Sequence, residues 1–496
     1  VDVYKRQHSG RFRPNARCSP FAGSSRGRLR QHVMGGNPQS GDCQTRCESD
    51  VTLFQSHSIA NPMISALVFA LEVLLFAYFL VTNGFYLATS LVAVCRMPRF
   101  VKMHRADPVH YAYSVYEEPV SALVPAYNEA ESICDTVQSL LKQKYSEYEI
   151  IVVNDGSIDA TLDILKAEFA LEPFPEAFRG QFKTQPVRGI YQSMAHANLR
   201  VIDKINGGKA DALNAGINAA RYPLVFACDG DSYYSPDALQ CLSEAFATDP
   251  KTVVSAASIG VSNGCDFEDG RIVKRRLSTQ WIARFQVLEY MRAFLASRMG
   301  WAPLNSLCIV SGACGLFRKE ILIEAGGFRT DIIWEDLEIT LRVHHMMRKQ
   351  RRPYRIAFTP FVVCWTRVPH TLGVLWRQRR SWHQHISECM TIHRGMFMSP
   401  NTGTVGWLGF PFMVIGEWMS PFMVLFGFAF GFVAAYFGFL SYYSQFVLLG
   451  LVFALGLAIC TAAIMLDELA FNTYSVKDLM ILLFSSLLEF FGFRQF

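Results

Sequence analysis

The sequence predicts an α/β domain with a mostly parallel sheet, flanked on both sides by transmembrane α-helices. Short β-rich runs alternate with helical stretches between about residues 106 and 400, which is typical of a sheet covered by helices. Long apolar stretches lie before and after this segment. Hydrophobic residues make up 51% of the 496 positions, enough for membrane spans besides a sizeable soluble core.

The N-terminal segment predicts no folded structure. Residues 1–55 contain Arg, Ser, Gly and Pro but no apolar periodicity. Such a segment cannot bury enough apolar surface to fold. We interpret it as a disordered or non-native leader.

An apolar stretch over 64–95 predicts the N-terminal transmembrane helix. It carries one charge, Glu72, and is longer than the ~20 residues that a helix needs to cross a bilayer. Four basic residues follow it: Arg96, Arg99, Lys102 and Arg105. Basic residues beside a span tend to face the cytoplasm. We therefore expect a multi-pass protein of the cytoplasmic membrane whose α/β domain is cytosolic.

The α/β domain is predicted over 106–370. Three strand-like runs each precede a helical run: VSALVPAY before AESICDTVQSLLKQ, EIIVVND before ATLDILKAEF, and PLVFACD before PDALQCLSEAF. Ligands of such sheets bind where the strands end. The polar residues at these strand ends are Tyr127, Asn128, Glu129, Asp155, Gly156, Asp229 and Asp231.

The pair Asp229 and Asp231 is the first candidate metal site. Residues i and i+2 of an extended chain point the same way, and Gly230 between them lets a ligand approach the backbone. Carboxylates without His or Cys suit Mg²⁺ or Mn²⁺ better than zinc. Taken alone, the pair is better explained as a solvated turn.

Two further stretches predict contacts to a nucleotide. Asp155 ends a strand, where an acid can accept hydrogen bonds from a base or a ribose. The stretch NGGKADALNAG at 206–216 places two glycines and Lys209 at a helix entrance, which favours anions. Because Lys209 precedes Ala210 and the upstream glycine is missing, this stretch is not an ATP-binding P-loop.

The stretch WEDLEITLRVHH at 334–345 begins a helix with two acids, Glu335 and Asp336. Acids in a first helical turn interact favourably with the helix dipole. The position alone is therefore better explained by a structural role than by a catalytic one.

The C-terminal region 405–496 predicts two to three further membrane spans. Its apolar stretches cover roughly 409–439, 446–466 and 478 to the end, and we expect that the region is truncated. Glu72 and Glu417 lie in apolar stretches, where charges are costly and usually face a polar cavity. They could line the path of a polar product, or the spans could begin after them.

Charge and cysteine usage exclude other classes of protein. Residues 1–50 hold nine Lys or Arg against four Asp or Glu, which accounts for the whole net charge of +5. The remaining charges balance, so we expect no nucleic-acid partner. The 13 cysteines are scattered without a CxxC pair, which fits reduced thiols rather than disulfides or a zinc site.

Taken in order, the motifs VPAYNE, VNDGS, GGKADALN, DGDS, a later ED and LWRQRRSWHQH at 375–385 resemble a known family. They are similar to those of the processive inverting glycosyltransferases of family 2, the cellulose, chitin and hyaluronan synthase type. That family has a catalytic domain of the GT-A fold. The resemblance covers about residues 64–490 and implies an enzyme that moves a hexose or N-acetylhexosamine from a nucleotide diphosphate sugar, such as a UDP-sugar, to a polysaccharide or glycolipid.

The resemblance also implies roles for individual residues. Asp336 would be the general base, and Asp231 would bind Mg²⁺ or Mn²⁺ on the diphosphate. The remaining residues would contact the nucleotide sugar: Tyr127, Glu129, Asp155, Lys209, Asp229, Gln378, Arg379, Arg380 and Trp382. The last four lie in an interfacial helix over 371–400 that carries the QRRSW motif.

The chain departs from the family at Ser381, where the family has arginine. Arg379 or Arg380 could take over the diphosphate contact. The substitution leaves two alternatives open: a transferase that adds one sugar to a lipid carrier, or a catalytically silent membrane scaffold or transporter component. The expected partners are a nucleotide-sugar donor, a sugar or lipid-linked acceptor and membrane lipids; the oligomeric state is left open.

Overall fold

The computed structural model describes residues 62–106, 117–177, 180–268, 271–439, 442–472 and 474–493. The leader predicted over 1–55 lies outside the described residues.

The α/β part is built on one sheet of ten strands in the order β3-β4-β5-β2-β1-β6-β11-β8-β12-β7, and a separate hairpin joins β9 and β10. The strands are Val120–Ala126 (β1), Tyr148–Asp155 (β2), Leu171–Pro173 (β3), Val187–Ser193 (β4), Leu199–Lys204 (β5), Leu224–Cys228 (β6), Tyr233–Tyr234 (β7), Thr252–Val261 (β8), Asp266–Glu268 (β9), Arg271–Lys274 (β10), Cys314–Arg318 (β11) and Arg355–Thr366 (β12).

The sheet is mixed. The four central strands β5, β2, β1 and β6 run parallel, as the alternation of strands and helices predicts. Beyond them β11 pairs antiparallel with both β6 and β8, while β12 is again parallel to β8. The prediction of a mostly parallel sheet is therefore correct for the centre of the sheet, where β5, β2, β1 and β6 lie. At that centre the carboxyl ends of β1, β2 and β6 share one edge.

Helices cover both faces of the sheet because its side chains alternate between two apolar layers. In β1 and β2, Leu123, Ile151 and Val153 face one cluster, and Val124 and Ile150 face the other. The helices of this part are Ile133–Leu141 (α2), Thr161–Glu168 (α3), Lys209–Ala219 (α4), Ala238–Thr248 (α5), Trp281–Tyr290 (α6), Arg298–Trp301 (α7), Lys319–Glu324 (α8), Asp336–Lys349 (α9) and Leu372–Ile392 (α10).

The apolar helices lie at the two ends of the described chain. They are Pro62–Ala106 (α1), Phe410–Phe412 (α11), Ser420–Tyr436 (α12), Tyr442–Phe471 (α13) and Val476–Leu488 (α14). Met63–Lys102 and Gln445–Phe471 are long and apolar enough to cross a membrane. The segments Val405–Trp418 and Ser420–Tyr436 meet at a bend of 44° and form a third candidate span if they are taken together.

The apolar helices α1 and α13 and the sheet share one hydrophobic cluster. Ala93 and Met97 of α1 and Ile464 of α13 belong to the same cluster as Leu123 and Ile151 of the sheet. A π-helical turn over Met291–Ser297 joins α6 to α7, and α7 packs tightly on α1. A Cβ atom on Gly300 would lie 2.5 Å from the Thr89 carbonyl oxygen, so only glycine permits this approach.

Candidate active site

A cavity of about 2540 Å³ opens at the edge where the central strands end. Tyr127, Glu129 and Asp231 line it at the sheet, and it continues between the apolar helices as far as Glu417 and Gln445. A ligand bound at the strand ends therefore faces a space that extends between the apolar helices.

The turn after β1 is fixed by the turn after β2. Asn128 has a positive φ of 59°, and its side-chain oxygen accepts a hydrogen bond of 2.9 Å from the Ile158 amide. The Glu129 amide donates to the Thr161 hydroxyl at 2.9 Å. Burial, and next the charge of Asp231, raise the pKa of Glu129 to about 7. Tyr127 and Glu129 both line the cavity.

Asp155 organises the backbone beside the cavity. It is buried, and its carboxylate accepts hydrogen bonds from Lys204 Nζ at 2.5 Å and from the amides of Gly207 at 3.0 Å and Gly208 at 2.7 Å. Lys204 also pairs with Asp211 at 2.5 Å. Among the described residues Asp155 is not part of the cavity lining. Through these hydrogen bonds Asp155 stabilises the turn at Gly207 and Gly208 that precedes α4.

Lys209 links two acidic groups across the cavity wall. It is the first residue of α4, directly after Gly208, whose φ is +90°. Its Nζ lies 2.6 Å from Asp229 Oδ1 and 2.9 Å from Glu335 Oε1. Glu335 was not predicted to take part in binding, although its position directly before Asp336 indicated that it could lie in the same site. This cluster places a cation beside the acidic strand end.

Gly230 lets the two aspartates turn tightly against β1. A Cβ atom on Gly230 would lie 2.9 Å from the Pro125 carbonyl oxygen, and the Gly230 carbonyl accepts a hydrogen bond from Thr136 at 3.0 Å. Asp231 is exposed and lines the cavity. Burial and the Asp229 charge raise the pKa of Asp231 to about 6.

The acidic strand end suits a divalent cation that is shared with a ligand. The described residues contain no group of three His, Cys, Asp or Glu side chains that could hold a metal ion by themselves. Mg²⁺, however, is usually bound by one or two carboxylates together with substrate phosphates. Asp231, which is open to the cavity beside Asp229, meets that requirement.

Asp336 begins α9 and also lines the cavity. Its carboxylate accepts hydrogen bonds from the Gly312 amide at 3.1 Å and the Leu337 amide at 2.8 Å. His385 Nε2 lies 3.4 Å from Asp336 Oδ1. Burial alone would raise the pKa of Asp336, but the hydrogen bond and charge of His385 outweigh it and hold this pKa below its usual range. The carboxylate is therefore ionised at neutral pH.

His385 was not among the residues predicted from the sequence. It follows Trp382 by three residues on α10, and residues three apart share a helix face. Trp382 and His385 both line the cavity. The spacing of Trp382 and His385 could therefore have predicted that His385 lies in the site.

The QRRSW motif of α10 points most of its residues into the cavity. Gln378, Arg379 and Trp382 line it, as does Arg377, which the sequence analysis did not select. Arg380 is exposed and is not among the described residues of the lining. The structure thus brings together the predicted site residues except Asp155 and Arg380.

Contacts of two residues, Arg379 and Ser381, determine which face of α10 is turned toward the cavity. Arg379 pairs through both nitrogens with Glu289, at 2.7 and 2.5 Å, and stacks over Trp382 at 4.5 Å. Ser381 accepts a hydrogen bond of 2.8 Å from the Trp334 indole. The serine that departs from the family motif thus ties α10 to the segment that begins α9.

Two family models match the chain. "Glycosyl transferase family 2" matches residues 121–326, and "Glycosyl transferase family group 2" matches residues 224–465. The poly-beta-1,6-N-acetyl-D-glucosamine synthases of Staphylococcus aureus (strain COL) and Staphylococcus epidermidis are each 31% identical over 268 residues. That alignment covers 54% of this chain and 54% of each relative. The chain thus spans about half the length of these relatives.

Two solved structures are similar to the chain. A mannosyltransferase from Pyrobaculum calidifontis, in complex with GDP-Man and Mn²⁺, is 20% identical with a TM-score of 0.47, covering 84% of this chain and 98% of that one. Residues 1–349 of S. aureus TarS, in complex with UDP-GlcNAc, are 13% identical with a TM-score of 0.39, covering 75% and 91%.

The family matches and the mixed α/β sheet between apolar helices confirm the predicted fold class. The two family models together extend from β1 to α13 and include the strand ends, both acidic motifs and the QRRSW helix. Residues 121–326 therefore form a glycosyl transferase family 2 domain.

Proposed function

We propose that this protein is an inverting glycosyltransferase that moves a hexose or N-acetylhexosamine from a UDP-sugar to a saccharide or a lipid-linked acceptor. One observation carries the proposal. A single cavity contains Lys209 paired with Asp229, the open carboxylate of Asp231, and the ionised carboxylate of Asp336. These are the groups needed to hold a diphosphate and to accept a proton.

The donor lies at the strand ends in this proposal. Tyr127 and Glu129 contact the nucleotide from the turn after β1, and Asp155 supports it through the glycine turn. Lys209 and Asp229 contact the sugar diphosphate at the entrance of α4, where backbone amides favour anions. Gln378 and Arg379 close the site from α10. Arg380 reaches it only if α10 rotates, since its side chain is exposed.

Asp231 would hold Mg²⁺ or Mn²⁺ together with the diphosphate. A bound divalent cation stabilises the negative charge that develops on the leaving nucleotide. Lys209 adds a fixed positive charge to the same region. The N-acetylglucosamine polymer named for the staphylococcal relatives makes UDP-N-acetylglucosamine the first donor to test.

Asp336 accepts the proton of the acceptor hydroxyl. The acceptor oxygen attacks the anomeric carbon from the side opposite to the diphosphate, the bond to the diphosphate oxygen breaks, and the configuration at that carbon inverts. His385 and the Gly312 amide hold the carboxylate in place and keep it ionised. A positioned general base contributes roughly 10²- to 10⁴-fold to the rate.

The protein is proposed to act at the cytoplasmic face of the cell membrane. Two helices are long and apolar enough to cross a bilayer, and the cavity continues from Asp231 to Glu72 and Glu417 between the apolar helices. Both of these glutamates accept hydrogen bonds, from Gln445 and Tyr86 respectively. Such a lining could hold a polar product that leaves the site.

The test measures UDP release by membranes that contain the protein. Each candidate UDP-sugar is supplied with Mg²⁺, with Mn²⁺ or with a chelator, and release from UDP-N-acetylglucosamine that needs the cation is the expected result. The variant Asp231→Asn should lose the cation-dependent release. If no nucleotide sugar gives release above membranes without the protein, the enzyme proposal fails and a silent scaffold or transporter component is favoured.

A second candidate function is the transfer of a single sugar to a lipid carrier. Ser381 favours it because its hydroxyl is bonded to Trp334 and it offers no positive charge where the family has arginine. Sizing the product decides between the two functions. A long polymer supports the polymerase, and a glycolipid with one added sugar supports single transfer.

A further inference from the structure

Arg298 is a buried cation in the cavity that the proposed mechanism does not use. It begins α7, is 6% exposed and lines the cavity. Its Nη1 atom has no hydrogen-bond partner within the part of the chain that the structure describes. Burial lowers the pKa of Arg298 to about 10, so the guanidinium still carries its proton at neutral pH.

The acidic groups around Arg298 already have partners. The charges of Asp336 and Glu417 act to raise the pKa of Arg298 against the effect of burial, and these two carboxylates contact His385 and Tyr86, respectively. Glu289 is held by Arg379. The guanidinium is positioned by its stacking over the Phe294 ring, at 3.9 Å from the centroid. It is thus fixed in place with an unused donor.

An unpaired buried N–H group is unfavourable, and native proteins usually satisfy such groups. A site that hydrogen-bonds a substrate oxygen discriminates strongly against analogues that lack it, because its own polar group is then left unpaired. The fixed donor of Arg298 therefore has the properties of a group that recognises a ligand oxygen.

The place of Arg298 indicates which ligand supplies that oxygen. The UDP-sugar occupies the strand ends with Lys209 and Asp231, whereas α7 packs on the membrane helix α1 at Gly300. Arg298 is within electrostatic reach of the proposed base Asp336, on which the acceptor hydroxyl must converge. The charges of Asp336 and Glu417 disfavour an anionic group here, so the ligand oxygen belongs to a neutral sugar.

We propose that Arg298 donates a hydrogen bond to a hydroxyl or amide oxygen of the acceptor sugar and thereby selects the acceptor. The inference rests on the proposed transfer reaction and specifies its acceptor site. It makes Arg298 a binding residue, while Asp336 remains the base.

The experiment compares the wild type with Arg298→Met, which keeps an unbranched apolar stem and removes the guanidinium donors. Short oligosaccharides of glucose, mannose and N-acetylglucosamine serve as acceptor probes, together with the donor that gives UDP release. Three quantities are measured: UDP binding, UDP release without acceptor, and KM for the oligosaccharide that stimulates release in the wild type. Arg284→Met is the matched control, since Arg284 stacks over Trp281 on the neighbouring helix α6 and is not part of the described cavity lining.

The expected result is a fall in acceptor kcat/KM of roughly 10- to 100-fold for Arg298→Met, with UDP binding and acceptor-free release unchanged. A deoxy analogue of the acceptor that lacks the recognised hydroxyl should show a similar loss with the wild type and little further loss with the variant. The control variant should match the wild type.

Two results would overturn the inference. Acceptor kinetics of Arg298→Met equal to those of the wild type would exclude recognition by Arg298, and loss of UDP binding with a folded protein would assign it to the donor. If the methionine variant does not fold, Arg298→Lys is measured in the same way, and it must raise the acceptor KM without changing UDP binding. Failure of the wild type to release UDP would instead refute the proposed function.

Discussion

Asp336 is the residue on which the chemistry of the site depends most directly. The variant Asp336→Asn keeps the shape of the side chain and can still accept from the Gly312 amide, but it cannot take up the acceptor proton. We expect sugar transfer to fall by at least ~10²-fold while UDP binding is retained. Near-normal transfer with intact UDP binding would show that another group is the base.

His385 controls the charge of that base. Without the imidazole, two of the contributions that oppose the effect of burial are lost, and the pKa of Asp336 rises from its lowered value. A base with a raised pKa is protonated at mildly acidic pH, so His385→Leu should move the acid limb of the kcat/KM profile to higher pH. His383→Leu is the control, because His383 packs against Phe422 and is not part of the described cavity lining. An unchanged acid limb in His385→Leu would remove His385 from the mechanism.

Lys204 is a buried charge, and its removal should lower the free energy of unfolding of the protein and not only its activity. It is fully buried and bonds both Asp155 and Asp211 at 2.5 Å. Lys204→Met leaves two carboxylates without their cation, and breaking a buried pair costs about 3–5 kcal/mol. Thermal unfolding in detergent measures the loss, with the exposed Lys251→Met as the control, expected within about 0.5 kcal/mol. Equal melting temperatures for the two variants would contradict this account of Asp155.

Among the elements of the fold, the site residues at the ends of strands could be predicted from the sequence more easily than the residues that meet where helices pack together. Tyr127, Glu129, Asp229 and Asp231 could be selected because the ends of parallel strands share one edge of the sheet, and the structure places these residues in one cavity. Asp336 and Trp382 came from the family resemblance. Their assigned roles stay predictions.

The missed residues depend on tertiary packing. Glu335 meets Lys209, and His385 meets Asp336, only because α9, α4 and α10 converge. Arg298 belongs to a helical segment without a motif. Helix geometry explains why Arg380 is not part of the described cavity lining. Each residue advances about 100° around an α-helix, so the Arg380 side chain lies away from the face that carries Gln378 and Trp382.

The contact of α7 with α1 gives a prediction about these two elements. Alanine at Gly300 would put its Cβ 2.5 Å from Thr89, so the helices must separate. We expect a loss of about 1–3 kcal/mol, as is typical of overpacking. Gly450→Ala is the matched control, since Gly450 lies in the apolar helix α13 with nothing within 4 Å of its added Cβ, and replacing a helical glycine should be neutral or stabilising. A melting temperature of Gly300→Ala at or above that of the control would refute the close packing.

The whole molecule is predicted to be integral to the membrane with its α/β domain on the cytoplasmic side. It should stay in the membrane pellet after alkaline carbonate washing, because α1 and α13 each bury a bilayer-length apolar surface. Lys251 is exposed on the α/β domain. A cysteine introduced there, in a background without other reactive cysteines, should react with an impermeant maleimide only in inverted vesicles. Labelling in intact cells would reverse the proposed orientation.

The sheet itself was only partly predictable. The alternation of strands and helices in the sequence predicts the strands β1, β2 and β6. The strand β11 is five residues long inside a glycine-rich stretch, and its antiparallel insertion between β6 and β8 has no local signal. Pairing between strands distant in sequence is decided by the packing of the whole domain.

The cluster that joins α1 and α13 to the sheet bears on how the protein can be handled. A fragment containing only the α/β part would expose the apolar layer that Met97 and Ile464 now cover. Such a fragment is expected to aggregate or to bind chaperones through this exposed apolar surface. Preparations that keep the helices in detergent or nanodiscs are therefore the ones in which the donor site should retain its shape.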